Sequence, residues 1–75
     1  MMEAYIIEHT EEDGSKSYYE HTTCFRTSRP NHRCLLGDIR SAKAKLTKLT
    51  KGYPEDLKKR YKIRRVEINI CEVVL

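Results

Sequence analysis

Glycine is scarce in this chain, and its three copies stand far apart at positions 14, 37 and 52. That spacing excludes a Gly-rich loop of the kind that wraps phosphates in backbone N–H groups. Cysteine is sparse and odd in number, at three, which argues against a closed disulfide framework. The opening MMEAYIIEHTEED has no basic stretch and is acidic early, so it does not read as a signal peptide. The expectation is a cytoplasmic protein with reduced thiols, of bacterial or viral origin. No apolar run approaches the roughly 20 residues that span a bilayer, so no membrane contact is expected. Repeats, low-complexity tracts and linkers are also missing. The 75 residues form one domain, 1–75, and a chain of this size buries only about 60% of its unfolded surface.

Charge is what the chain has in abundance, and it is segregated. Residues 1–23 carry six acidic side chains and one lysine, a net −5. Residues 24–65 carry fourteen Lys or Arg against three acids, a net +11, and the last ten residues add two acids. The total is +4. Such asymmetry bears on partners and solubility rather than on fold. A lysine-rich surface can also be no more than a solvated face.

The segment Gly37 to Gly52, GDIRSAKAKLTKLTKG, organises the rest. Its spacing predicts a helix over about 38–51. Asp38 is a good N-cap, Gly52 fits the C′ position and Pro54 follows as a stop. Ile39, Ala42, Leu46 and Leu49 fall on one side, at intervals of three and four. Arg40, Lys48 and Lys51 fall opposite, with Lys43 and Lys45 on the flanks.

Residues 2–9 read as a central strand, because Tyr5 and Ile7 face one way and Ala4 and Ile6 the other. Asp13-Gly14 is a strong hairpin signal, and 16–26, rich in Tyr, Thr and Phe, reads as one second strand. Residues 27–33 read as a polar loop around Pro30-Asn31. Cys34, Leu35 and Leu36 form an apolar lead-in to the helix. Pro54 at a first helical position starts one further turn, with Leu57 and Tyr61 inward. Residues 61–74 read as the last strand. Its alternation slips at Arg64-Arg65, which predicts a bulge there or burial of both faces.

Together these make an α+β fold: an antiparallel three-stranded sheet (hairpin, helix, strand; ββαβ) with one main helix packed on one face. The last strand is expected beside the first. The expected core is Ile6 or Ile7, Phe25, Leu35, Ile39, Leu46, Leu49, Ile63, Ile68 and Ile70.

His21, Cys24, His32 and Cys34 supply ligand types that zinc prefers. However, His21 and Cys24 point to opposite faces of a strand, and no C-x₂₋₄-C knuckle is present. The plainer account makes both cysteines small semi-buried hydrophobes, joined as a disulfide only in an oxidising setting. No metal or other cofactor is expected. A Cys/His nucleophile pair needs a third orienting group and a concave site, and a domain this small has little room for one. No enzyme activity is expected.

The basic surface carries the functional reading. Arg40, Lys45, Lys48 and Lys51 on the helix, supported by Lys59, Arg60 and Lys62, supply the clustered cations that phosphate binding needs. Tyr18, Tyr19, Tyr53 and Tyr61 offer ring faces for stacking on bases where exposed. No RRM, KH, helix-turn-helix or zinc-finger signature accompanies them, so such contact reads backbone and shape. The competing class is a protein-binding module whose dipolar surface steers a partner. An exposed sheet edge also offers pairing to a second copy, as a homodimer.

The AYII at 4–7, the GDIRSAKAKL at 37–46 and the YKIRRVEI at 61–68, ordered strands, helix, strand, resemble small phage and mobile-element accessory proteins. Among these the layout is similar to the compact anti-CRISPR proteins. The resemblance spans most of the chain and includes no functional motif, so no residue role comes from it. It implies a non-enzymatic inhibitor that binds a host protein or ribonucleoprotein complex and blocks its nucleic-acid path. The strongly basic middle departs from the acidic, DNA-mimicking style of many such inhibitors. The composite expectation is a basic binding protein of this kind. Direct, largely non-specific DNA or RNA binding is the alternative.

Overall fold

The computed structural model of the protein describes residues 2–68. Its strands are β1 (Met2–Thr10), β2 (Lys16–Glu20), β3 (Phe25–Thr27) and β4 (Tyr61–Ile68). Its helices are α1 (Ile39–Leu49) and a single turn, α2 (Glu55–Lys58), and a 3-10 turn spans His32–Cys34. The strands form one antiparallel sheet in the order β3-β2-β1-β4. The α+β class and the pairing of the last strand with the first are as expected. The sheet has four strands, however, where the sequence predicts three.

The extra strand comes from a break in the predicted strand 16–26. The chain turns at 21–24, and Phe25–Thr27 folds back on β2, with Tyr19 opposite Arg26 and Glu20 opposite Phe25. Cys24 makes this turn in the left-handed region, with φ 61°, where a side chain costs roughly 1–2 kcal/mol. Glu20 holds the turn. Its C=O accepts the Cys24 N–H at 2.8 Å, and its carboxylate accepts Thr23 Oγ1 at 2.9 Å and Asn31 Nδ2 at 2.6 Å. Cys24→Gly removes the strain at the cost of backbone entropy. It is expected to raise stability by about 0.5–1 kcal/mol in a thermal melt, whereas Thr22→Gly, outside the strained position, lowers it.

β1 is central because both its faces are apolar. Tyr5, Ile7 and His9 point toward α1, and Ala4, Ile6 and Glu8 point away. Its pairing with β4 runs unbroken from Met2–Ile68 to His9–Tyr61. The bulge expected at Arg64-Arg65 is therefore not present. The apparent slip has another origin: Tyr61 and Ile63 are half-buried on the helix side, while Val66 and Ile68 are half-buried on the opposite side. One regular strand changes which face is covered along its length, without a change in register.

β2 pairs with β1 only at residues 8–10. Farther along, Leu36 takes its place and exchanges both backbone hydrogen bonds with Tyr5, each at 2.8 Å. This seats Leu36 under α1, as the apolar lead-in predicts. The core there is Ile7, Leu36 and Ala42, ringed by Tyr5, Tyr19, Leu46, Leu49, Tyr61 and Ile63. Cys34 is also fully buried. Two expected core residues are exposed or at the margin, Phe25 at 73% and Ile39 at 38%, and Leu57, expected to point inward, is 41% exposed. Phe25 lies outside because it pairs with Glu20 and, alternating with Arg26, projects from the sheet face away from α1. Ile39 sits at the first turn, and Leu57 on a helix too short to close over it. Ile70 lies outside the described residues.

α1 starts as its sequence predicts. Asp38 accepts the Ser41 N–H at 2.9 Å and the Ser41 hydroxyl at 3.1 Å. The helix ends one residue earlier than Gly52 implies. Thr50 is the C-cap, and its hydroxyl donates to Leu46 C=O at 2.8 Å. Gly52, with φ 82°, serves the next turn, which the Tyr53 N–H closes onto Thr50 C=O. Pro54 caps α2 rather than opening it.

Candidate functional site

Seven residues are predicted to share one basic face, and the structure separates them. Arg40, Lys45 and Lys48 are exposed on α1, Lys45 and Lys48 at the cleft beside Tyr19, and Lys51 is exposed in the turn just after the helix. Lys51 lines a cleft of about 440 Å³ at the helix C-terminus with Lys58, whereas Lys59 stands exposed just after α2. Arg60 is half-buried and lies 3.8 Å from Glu12. Lys62 is opposite Glu8 in the β1–β4 ladder. Since its neighbour Ile63 faces α1, Lys62 projects from the far side of the sheet. The strand cation therefore does not join the helix cations.

Ion pairing takes up four of the arginines. Arg26, Arg60, Arg64 and Arg65 each have a carboxylate within 4 Å, from Glu11, Glu12, Glu8 and Glu3 respectively. The Arg64–Glu8 contact is 3.2 Å, and Glu8 is the most buried of these acids. Among the described residues no lysine is in an ion pair. Asp38, the one acid bordering α1, is occupied in capping the helix. Four arginines on and beside the sheet are thus neutralised, and the cations of α1 are among those left without a carboxylate among the described residues.

The acidic hairpin is internally bound. Glu11 is held below the usual carboxylate range, chiefly because the Ser17 hydroxyl donates to it at 3.0 Å, with the Arg26 guanidinium at 3.3 Å adding to the effect. Asp13 is lowered by the Ser15 hydroxyl and N–H, Glu20 by Asn31 and then Thr23, and Asp38 by Ser41. A carboxylate with a depressed folded pKa adds stability above its unfolded pKa and loses it as pH falls through the folded value. The reference values are 4.5 for Glu and 3.8 for Asp. The expected result is a melting temperature level from neutral pH to about 5 and falling below about 4. A melting temperature at pH near 3 as high as at pH near 5 would contradict this assignment.

His9 sits between the hairpin and β4. It is buried, tilted against Tyr61 at 4.5 Å between ring centroids, and its Nδ1 accepts from Arg26. That bond puts the proton of a neutral ring on Nε2. The 3.1 Å approach of Nδ1 to Glu11 Oε1 is then a contact without a hydrogen. The cluster clamps β1 to β3.

Burial of Tyr61 raises its hydroxyl pKa. Tyr19 is raised by its hydrogen bond with Cys24.

The four tempting zinc ligands are scattered. His21 donates from Nε2 to Leu35 C=O at 2.9 Å, and His32 is exposed. Cys24 is exposed and Cys34 buried, and both are free thiols. Among the described residues no three His, Cys, Asp or Glu side chains come together as a metal site. No helix among them is long and apolar enough to cross a membrane.

The expectation that so small a domain lacks concavity is wrong. Two open grooves, of about 620 and 660 Å³, lie beside the hairpin, and both are bounded by Tyr53, Tyr61 and Arg26. A smaller cleft of about 320 Å³ lies between Tyr19 and the Lys45–Lys48 side of α1. No protein-family model matches this chain, and no curated protein or solved structure is similar to it. Sequence reasoning missed Phe25, Lys16 and Arg26 as groove residues. Phe25 follows Thr22-Thr23-Cys24, and alternation alone assigns such an aromatic to the interior.

Proposed function

We propose that this chain is a small non-enzymatic binding protein, of the phage or mobile-element accessory kind, that docks through the lysine face of α1. Its target is the phosphate backbone of a nucleic acid, met in a host ribonucleoprotein complex whose nucleic-acid path it obstructs. One observation carries the reading. Arg40, Lys45 and Lys48 on α1 and Lys51 just after it are exposed and have no carboxylate partner among the described residues, while Arg26, Arg64 and Arg65 of the sheet are paired. Unpaired, clustered cations release counterions from a phosphate strand on contact, so they supply affinity without sequence selectivity. The same face, without a host complex, would make the chain a general DNA- or RNA-binding protein.

The test is fluorescence anisotropy against a generic strand of about 25 nucleotides, duplex and single, at low and near-physiological salt. Binding that weakens steeply with salt is the expected result. No binding to either form at low salt would remove phosphate as the target and redirect the lysine face to an acidic protein surface.

A further inference from the structure

We propose that the chain is a homodimer whose two copies pair edge to edge through β4, with Val66 on the two-fold axis. This goes beyond the phosphate-contact reading and does not rest on it. β4 is the outermost strand beside β1. The Thr10 N–H donates to Arg60 C=O at 2.9 Å, one pair beyond His9–Tyr61, and this sets the phase of the ladder. Even-numbered residues of β4 bond to β1, so Ile63, Arg65 and Glu67 turn their N–H and C=O groups outward. Among the described residues no other element's backbone bonds to them. Natural sheet edges are often blunted by a bulge, a proline or a short strand. β4 has none of these: its 8 residues, YKIRRVEI, pair with β1 without interruption.

Charge is the remaining guard of this edge, and it selects the register. In an antiparallel pairing of two copies, an axis at Lys62, Arg64, Arg65 or Glu67 sets that residue against itself, like charge to like. An axis at Ile63 sets Lys62 against Arg64. An axis at Val66 instead sets Arg65 opposite Glu67 of the second copy, twice over, with Val66 opposite Val66. Among the described residues Glu67 has no cationic partner within its own chain. Its neighbour across the ladder is Glu3, the acid that Arg65 approaches at 3.7 Å. Arg65 of the second copy supplies the missing cation. Arg65 and Glu67 also carry the outward N–H and C=O groups, so each such pair exchanges two backbone hydrogen bonds. Between them the two Val66 side chains meet where the strands bring side chains closest, on the face away from α1. Pairing in the plane of the sheet keeps each face on its own side. Both α1 helices therefore lie on one side of a continuous sheet.

The test is sedimentation of the full chain over a concentration series up to about 1 mM at low salt. The parent is expected to reach twice the 8.9 kDa of one chain. Arg65→Glu and Glu67→Arg each set like charges opposite at both symmetric positions, and each alone is expected to weaken dimerisation about 10- to 100-fold. Mixed in equal amounts, the two variants regain opposite charges at both positions, and the mixture is expected to dimerise like the parent. Glu67→Arg also relieves the repulsion from Glu3 within the chain, so its circular dichroism should match the parent's, which separates lost pairing from a lost fold. A parent that keeps the mass of one chain up to about 1 mM overturns the proposal. So does a single variant that dimerises as tightly as the parent, or a mixture that associates no better than either variant alone. None of these outcomes touches nucleic-acid binding, so the phosphate-contact reading stands or falls separately.

Discussion

Ile7→Ala is expected to leave much of the domain unfolded at 37 °C. Ile7 is fully buried on the central strand, opposite Ile63, in the cluster that Leu36 and Ala42 complete beneath α1. Removing a buried branched side chain costs its transfer free energy plus the cavity left behind, about 2–5 kcal/mol for Ile→Ala. A chain of 75 residues has about 4–11 kcal/mol in total, at the usual stability of roughly 0.05–0.15 kcal/mol per residue. In a domain of this size each lost kcal/mol lowers the melting temperature by roughly 4–8 °C, so a fall of about 10–30 °C is expected. Ile39→Ala is the internal comparison. Ile39 lies on the same apolar side of α1 by sequence, but it is 38% exposed, and its loss is expected to cost less than about 1 kcal/mol. Equal melting shifts in the two variants would mean that α1 does not dock on the sheet through the Ala42–Leu46–Leu49 seam.

Lys48→Glu with Lys51→Glu is expected to weaken nucleic-acid binding by about 10- to 100-fold at near-physiological salt, with the fold unchanged. Lys48 is exposed on α1 and Lys51 in the turn just after it, and neither has a carboxylate to lose among the described residues. Each reversal removes one phosphate contact and adds one repulsion. The slope of log affinity against log salt should therefore become shallower by about 1.5–2. The loss should be similar for duplex and single strand, because phosphate carries it. Lys62→Glu is the control for position. Lys62 projects from the far face of the sheet beside Glu8, so its reversal should change affinity far less. A helix double variant that binds as tightly as the parent, or a Lys62 variant that loses as much, would separate the binding face from α1.

These expectations depend differently on sequence and on fold. Asp38, the three- and four-residue spacing through Leu49 and the breaker at Pro54 determine α1 by themselves. Capping, helical periodicity and chain termination act within about one or two turns of the backbone. The two apolar faces of Ala4 to Ile7 determine a central strand, and Asp13-Gly14 determines the first hairpin, for the same local reason. The charge segregation is likewise a property of the sequence.

What the tertiary structure decided is which of those parts meet. The turn at 21–24 contains no glycine, proline or asparagine. Cys24 is held in its left-handed conformation by hydrogen bonds that include one from Asn31, eleven residues from Glu20. No local pattern announces such a turn, so the fourth strand and the exposure of Phe25 were not legible. The Arg64–Glu8 pair joins residues 56 apart in the chain, and Arg26 reaches His9 across 17. Composition counts those arginines as free cations, and only the packed sheet shows them quenched. Lys48 and Lys62 are equivalent lysines by sequence. Helix packing leaves one of them exposed on α1, and strand alternation sends the other to the opposite side of the sheet.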